Sequence, residues 1–196
     1  MDITASMVKE LRIKTNAGMM DCKEALSASE GNLEKAIEYL RKKGLSAATK
    51  RSSRAAKDGM VASYIHMNGK IGVIVEVNCE TDFVAKTDNF RAMAKDIAMH
   101  IAAANPTYLK PEDIPEEVME RENVIYRDQA LAEGKPEKII DKIIDGKIKK
   151  FYEEVCLLNQ KFVKDMDITI QTLVNNMIAN TGENYRQFLF PGLESG

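Results

Sequence analysis

The chain has 196 residues, 44% hydrophobic and 30% charged, which fits one sizeable or two smaller folded domains and excludes bulk disorder. A formal net charge of -2 argues against a whole-protein nucleic-acid binder, whose footprint is strongly basic. Cys22, Cys79 and Cys156 are odd in number and widely spaced, which suits a reducing compartment better than a disulfide framework or a thiolate zinc site. No apolar run approaches the roughly 18 to 20 residues of a membrane span, and "MDITASMVKELRIK" lacks the layout of a signal peptide, so the expectation is a cytoplasmic protein.

Residues 1–45 read as a small helical module. Ile3, Met7, Val8 and Leu11 fall at helical spacing behind a cap at Asp2 or Thr4. "TNAGMMDCKEAL" breaks that helix at Asn16-Ala17-Gly18 and restarts with Met19, Cys22 and Leu26 on one face. "NLEKAIEYLRKKG" carries Leu33, Ala36, Ile37 and Leu40 as its stripe, with Gly44 placed as a C-terminal stop. Residues 46–58 read as a linker, part of the basic stretch 41–58 with its seven Lys or Arg, which is either a solvated tether or a patch facing an acidic partner surface.

Residues 59–196 read as an α+β core. "GMVASYIHMNGKIGVIVEVNCE" alternates around Asn68-Gly69, the signal of a β-hairpin with a type I′ turn, with Val73, Val75 and Val77 on one face and Ile74 on the other. Phe90, Met93, Ala94, Ile97, Ala98, Ile101 and Ala102 form a helical stripe that stops before Pro106. From about 116 to 158 the pattern is a helical hairpin that turns at Gly134 and carries Ile140, Ile144, Ile148, Phe151, Val155 and Leu158 along one side of its second arm. The remainder reads as a loop, a short helix, a turn at Gly182 and a last strand, Tyr185 to Phe190, that pairs with the hairpin strands.

Catalytic patterns are scarce. The chain has no GxxxxGK and no GxGxxG before a helix. His66 and His100 lie on separate elements and read as structural; Cys79 is the only nucleophile near either in sequence, and a working thiol would need a lowered pKa. No spacing of ligands supports a metal site, so neither a cofactor nor an enzymatic role is expected.

Between the second strand and the following helix lies Thr81-Asp82-Phe83-Val84, where a large aromatic sits at a place the chain must turn. Spacing alone leaves two readings open: Phe83 is core and Asp82 caps the next helix, or the segment is an exposed contact. Met19 and Met20, adjacent at a helix start, cannot both point into one small core, so one of the pair is expected to be exposed.

"TNAGMMDCKEAL", "VNCETDFVAKTDNF", "AMHIAAANPTYL", "LAEGKP", "GKIKKFYEEVCLLNQKFVKD" and "TGENYRQFLF", in that order, resemble bacterial translation elongation factor Ts, the guanine-nucleotide exchange factor of elongation factor Tu. The resemblance covers almost the whole chain. It implies a ubiquitin-associated-like N-terminal module and a core of antiparallel sheet with a helical hairpin. It further implies that Thr81, Asp82, Phe83 and Val84 push into the GTP-binding domain of elongation factor Tu, GDP-bound or nucleotide-free, and disturb its Mg²⁺ site. Arg12, Met19 and Met20 become docking candidates by the same resemblance. The single hairpin and single TDFV segment are similar to the short form of the family, in which a homodimer supplies a second core half. Direct contact with nucleic acid or membrane is not implied. The competing class is a ubiquitin-associated-like binding module with no exchange activity.

Overall fold

The computed structural model describes residues 3–15, 17–51, 53–189 and 193–194. These make an α+β fold of eight α-helices and six strands among the described residues. The chain divides into two compact units, Met1–Ala62 with Val75–Lys95 and Gln171–Gln187, and Ser63–Ile74 with Asp96–Ile170 and Phe188–Gly196.

The first unit opens with α1 (Ala5–Thr15), α2 (Met19–Ala28) and α3 (Leu33–Arg51). Thr4 caps α1, its Oγ1 accepting from Met7 N at 3.3 Å; Asp2, the other proposed cap, lies outside the described residues. Val8, Leu11, Cys22, Ala25, Leu26 and Ala36 are the core of this module, with Ile3, Met7, Leu33, Ile37 and Leu40 packed against it. Met19 departs from the predicted stripe: it is exposed, and Ala25 takes the inward position with Cys22 and Leu26. Gly44 does not stop the third helix, which runs on through the basic stretch to Arg51. Tertiary contact overrides the local signal, because Gly44 is buried where α3 meets α8 (Ile170–Thr181), near Ala179 Cβ and Asn175 O.

The main sheet has the strand order β1 (Asp58–Ile65), β2 (Ile71–Cys79), β5 (Tyr185–Leu189), with β6 (Leu193–Glu194) also paired to β2. Val73, Val75 and Val77 are buried and Ile74 is exposed, as the period-2 pattern requires. The β1–β2 connection is not a two-residue turn. Met67–Gly69 form a 3₁₀ turn in which Gly69 N donates to His66 O at 2.9 Å, and Gly69 has φ +71°. Glycine is required at Gly59, where a Cβ would lie 2.3 Å from Val77 O. After β2 come α4 (Asp82–Ala85) and α5 (Asp88–Ala104). Phe90 is fully buried and stacks on Tyr185 at 5.6 Å between ring centroids.

In the second unit α6 (Glu116–Ala132) and α7 (Glu137–Val155) form the expected hairpin around Ala130, Ile140 and Ile144. Gly134, at φ +69°, closes α6 in a Schellman arrangement, with Lys135 N bonded to Ala130 O and Gly134 N to Leu131 O. Helix α7 ends at Val155, so Leu158 leaves its stripe and sits in a 3₁₀ turn. The proline-containing connection is tied to that exit by Thr107 N and Tyr108 N, both donating to Val155 O. The segment read as a loop before α8 contains a small antiparallel pair, β3 (Lys161–Phe162) and β4 (Asp165–Thr169). Its strands are too short and too polar for the alternation to show.

His100 is fully buried and structural. Val163 N donates to its Nδ1 at 3.4 Å, which leaves Nε2–H to donate to Gln160 Oε1 at 3.0 Å. The two contacts specify the neutral imidazole, and burial pushes its pKa below the ordinary 6.5. The folded state therefore takes up this proton less readily than the unfolded state. Stability conferred by neutral His100 is complete above the unfolded value and falls as pH drops from there to the folded pKa. Thermal unfolding followed between about pH 8 and pH 5.5 should show that decline, and His100→Gln should flatten it.

Candidate functional site

Helix α4 has a single turn, and Thr81 starts it. Thr81 is extended at φ -132°, ψ 151°, and its Oγ1 accepts from Val84 N at 3.4 Å while its carbonyl accepts from Ala85 N at 3.3 Å. Val84 and Ala85 face inward and are buried. Successive helical residues are about 100° apart, so anchoring Val84 directs its neighbour Phe83 outward, where it is 78% exposed. The aromatic is held in solvent by the burial of the residue beside it. A second cap follows: Thr87 Oγ1 accepts from Phe90 N at 3.3 Å and starts α5. Asp82 therefore caps neither helix. Its carboxylate accepts from Lys86 Nζ at 2.6 Å, and that hydrogen bond holds its pKa below the usual carboxylate value.

The structure thus separates the four residues singled out in this segment. Thr81, Asp82 and Phe83 are exposed, whereas Val84 belongs to the core.

Beneath the turn, Cys79 Sγ donates to Thr81 O at 3.1 Å. Opposite it stands a group that the sequence pattern did not single out. Glu183 Oε2 accepts from Thr81 N at 3.2 Å and Oε1 accepts from Thr81 Oγ1 at 2.6 Å. Asn184 N donates to Glu80 Oε1 at 2.7 Å, and Asn184 Nδ2 to Arg54 O at 2.8 Å. These partners lie more than a hundred positions from the turn, beyond the reach of any local signal; only the Gly-Glu-Asn turn ahead of a strand marks them.

The helical module presents a second set. Arg12 is exposed, and Met19 and Met20 are 61% and 77% exposed, so both methionines face outward rather than one. Ile13, which the sequence pattern missed, is 75% exposed. The cause is geometric: Leu11 and Cys22 take the inward positions, leaving Arg12 with Ile13, and Met19 with Met20, on the outer faces.

The basic stretch is partly engaged. Lys43 Nζ donates to Asp21 and Glu24 at 2.8 and 2.7 Å, and Tyr39 OH donates to the other Glu24 oxygen at 2.7 Å. Lys42, Lys43, Lys50, Arg51 and Arg54 nevertheless line, with Tyr39 and Ser46, an open groove of about 600 Å³.

No arrangement for thiol chemistry is present among the described residues. All three cysteines are buried, and burial pushes the Cys79 and Cys156 thiols up to about 11. His66 faces Tyr64 OH at 3.2 Å, and His100 is occupied by Gln160 and Val163. Among the described residues no group of three or more His, Cys, Asp or Glu could hold a metal ion, and no helix is long and apolar enough to cross a membrane.

The geometry defines a class first: an α+β protein with large apolar side chains projecting from its surface, Met19 and Met20 at the start of α2 and Phe83 in α4. The family model described as Elongation factor TS matches residues 2–188. Elongation factor Ts of Syntrophus aciditrophicus is 72% identical over 94% of this chain and 92% of its own length. The elongation factors Ts of Geobacter sulfurreducens and Heliobacterium modesticaldum are 61% and 55% identical, over 94% and 99% of this chain and 85% and 90% of their own lengths. The chain belongs to the elongation factor Ts family.

The thiol environment has a direct chemical consequence. At about pH 8, Ellman's reagent should modify Cys79 and Cys156 about 100-fold more slowly in the folded chain than in urea, and Cys22 should also be slowed. Rapid stoichiometric modification of one thiol in the folded state would contradict the burial described.

Proposed function

We propose that this chain is a guanine-nucleotide exchange factor that binds elongation factor Tu with GDP and promotes GDP release during translation elongation in the cytoplasm. It acts by binding and makes or breaks no covalent bond. The observation that carries the reading is the 78% exposure of Phe83 on a turn anchored from below by Val84. In this reading Phe83 is a wedge, Asp82 is the polar group beside it, and together they displace the elements that surround the partner's Mg²⁺. That ion demands near-octahedral geometry, so a small displacement removes much of the nucleotide's affinity. Burying a Phe side chain gains roughly 1.5 to 3 kcal/mol, comparable with a typical allosteric coupling of about 1 to 3 kcal/mol. By reciprocity, rebinding nucleotide weakens the factor's hold by the same ratio, and the factor turns over.

Arg12, Met19 and Met20 serve as the docking set in this scheme, on a module of ubiquitin-associated type. Docking and wedging are separable in stopped-flow GDP release from elongation factor Tu. Phe83→Ala should lower the maximal rate about tenfold while changing the half-saturating concentration less than about threefold. Met20→Ala should raise the half-saturating concentration and spare the maximal rate. Chelating free Mg²⁺ should shrink only the Phe83 defect. A Phe83→Ala variant that reaches the normal maximal rate at high concentration would reduce Phe83 to an anchor.

We further propose a noncovalent homodimer. The single hairpin motivates it, and within the second unit Ile65, Met67 and Ile74 leave an apolar surface exposed. Light scattering under reducing conditions should give about twice the 21.9 kDa chain mass, and Ile65→Glu should lower it toward the monomer. A concentration-independent monomer for the unaltered chain would refute the dimer.

A further inference from the structure

We propose that Glu183 is the positioning residue of the Phe83 turn: its carboxylate fixes the Thr81 cap, and through that cap the direction in which Phe83 projects during exchange. The inference rests on the exchange reading above and extends it to a residue outside the proposed wedge and docking sets.

The argument begins where the strand pairing ends. Strand β2 finishes at Cys79 and its neighbour β5 begins at Tyr185. Beyond those ends the backbone groups need other partners, and two carboxylates supply them reciprocally. Glu80 accepts from Asn184 N at 2.7 Å, while Glu183 accepts from Thr81 N at 3.2 Å. The clasp continues the ladder with side chains at the point where the chain turns into α4.

Glu183 does more than satisfy an amide. The Thr81 hydroxyl has one proton and two lone pairs. Donating the proton to Glu183 at 2.6 Å leaves the oxygen as an acceptor for Val84 N, the contact that starts α4. A charged acceptor strengthens that donation and locks the rotor. Without it the hydroxyl proton is free to turn toward the Val84 amide, and the cap weakens.

The support behind Glu183 is hydrogen-bonded and largely buried. Its own N–H donates to Thr181 Oγ1 at 3.4 Å, and that hydroxyl shares a hydrogen bond of 2.6 Å with Tyr185 OH. Tyr185 is buried and stacked on Phe90. Asn184 is 97% buried by its 3% exposure and reaches Arg54 O. Gly182, at φ +76°, gives the turn the left-handed residue that delivers Glu183 to Thr81. A wedge transmits displacement only if its base is held, and the base of Phe83 is a single helical turn.

The test compares the full chain with Glu183→Ala, Thr81→Val and the double variant in stopped-flow release of a fluorescent GDP analogue from elongation factor Tu. Each single variant should lower the maximal rate about fivefold to tenfold with the half-saturating concentration within about twofold, and the double should be no worse than the worse single. Thr81→Ser should restore the rate. In the isolated chain, hydrogen exchange at the Val84 amide should quicken about tenfold in Glu183→Ala. Should that variant fail to fold by circular dichroism, Glu183→Gln and Thr81→Val carry the same comparison. Additive losses, an unchanged maximal rate, or a defect confined to half-saturation would overturn the proposal. If the unaltered chain does not accelerate release, the exchange reading falls; unaltered Val84 exchange in Glu183→Ala then overturns the clasp as well.

Discussion

Thr81 uses all of its polar atoms in opposite directions. Its N–H and hydroxyl donate to Glu183, its hydroxyl oxygen accepts from Val84 N, and its carbonyl accepts from Ala85 N and Cys79 Sγ. Each contact is modest, with a net worth of about 0.5 to 1.5 kcal/mol for a neutral hydrogen bond and more for those to a carboxylate. Their joint effect is to end a strand, start a helix and leave no slack between them. The placement of Val84 inside and Phe83 outside follows from where that helix starts.

An exposed aromatic is tolerable here because its neighbours carry the stability of the segment. Val84, Ala85 and Phe90 are buried, and Phe90 stacks on Tyr185, so the surroundings of the turn are closely packed even though its tip is bare. Such a division suits a binding protein. In the proposed exchange reading, free energy not used to bury Phe83 within the chain is available at a partner's surface, and the ordering cost is met by the fold before any encounter. The module at the N-terminus follows the same rule, with Leu11, Cys22 and Leu26 inside and Ile13, Met19 and Met20 outside.

The α+β class, the helical hairpin and the valine face of β2 were legible in the sequence because each rests on a periodicity, and the family was legible as a resemblance carried by its quoted motifs. The exposed segment was legible as a question only. A Phe following a strand is ambiguous until the register of its helix is known, and that register depends on which residue caps. Gly44 misled for a related reason: a glycine reads as a stop where chain entropy decides, but α3 continues because it is packed against α8. The β3–β4 pair leaves no signal in the sequence because such short strands carry no measurable alternation.

What the sequence by itself determined is the set of local elements and the side chains they have to bury, since helix stripes, strand alternation and hydroxyl caps act over a few residues. What only the tertiary structure decided is which side chains meet. Glu183 reaching Thr81, Asn184 reaching Glu80 and Gln160 reaching His100 join positions 60 to 104 residues apart. No local propensity encodes such meetings; they exist because the pairing of β5 with β2, and the packing of each unit, place otherwise unmatched donors beside the acceptors that buried polar groups require.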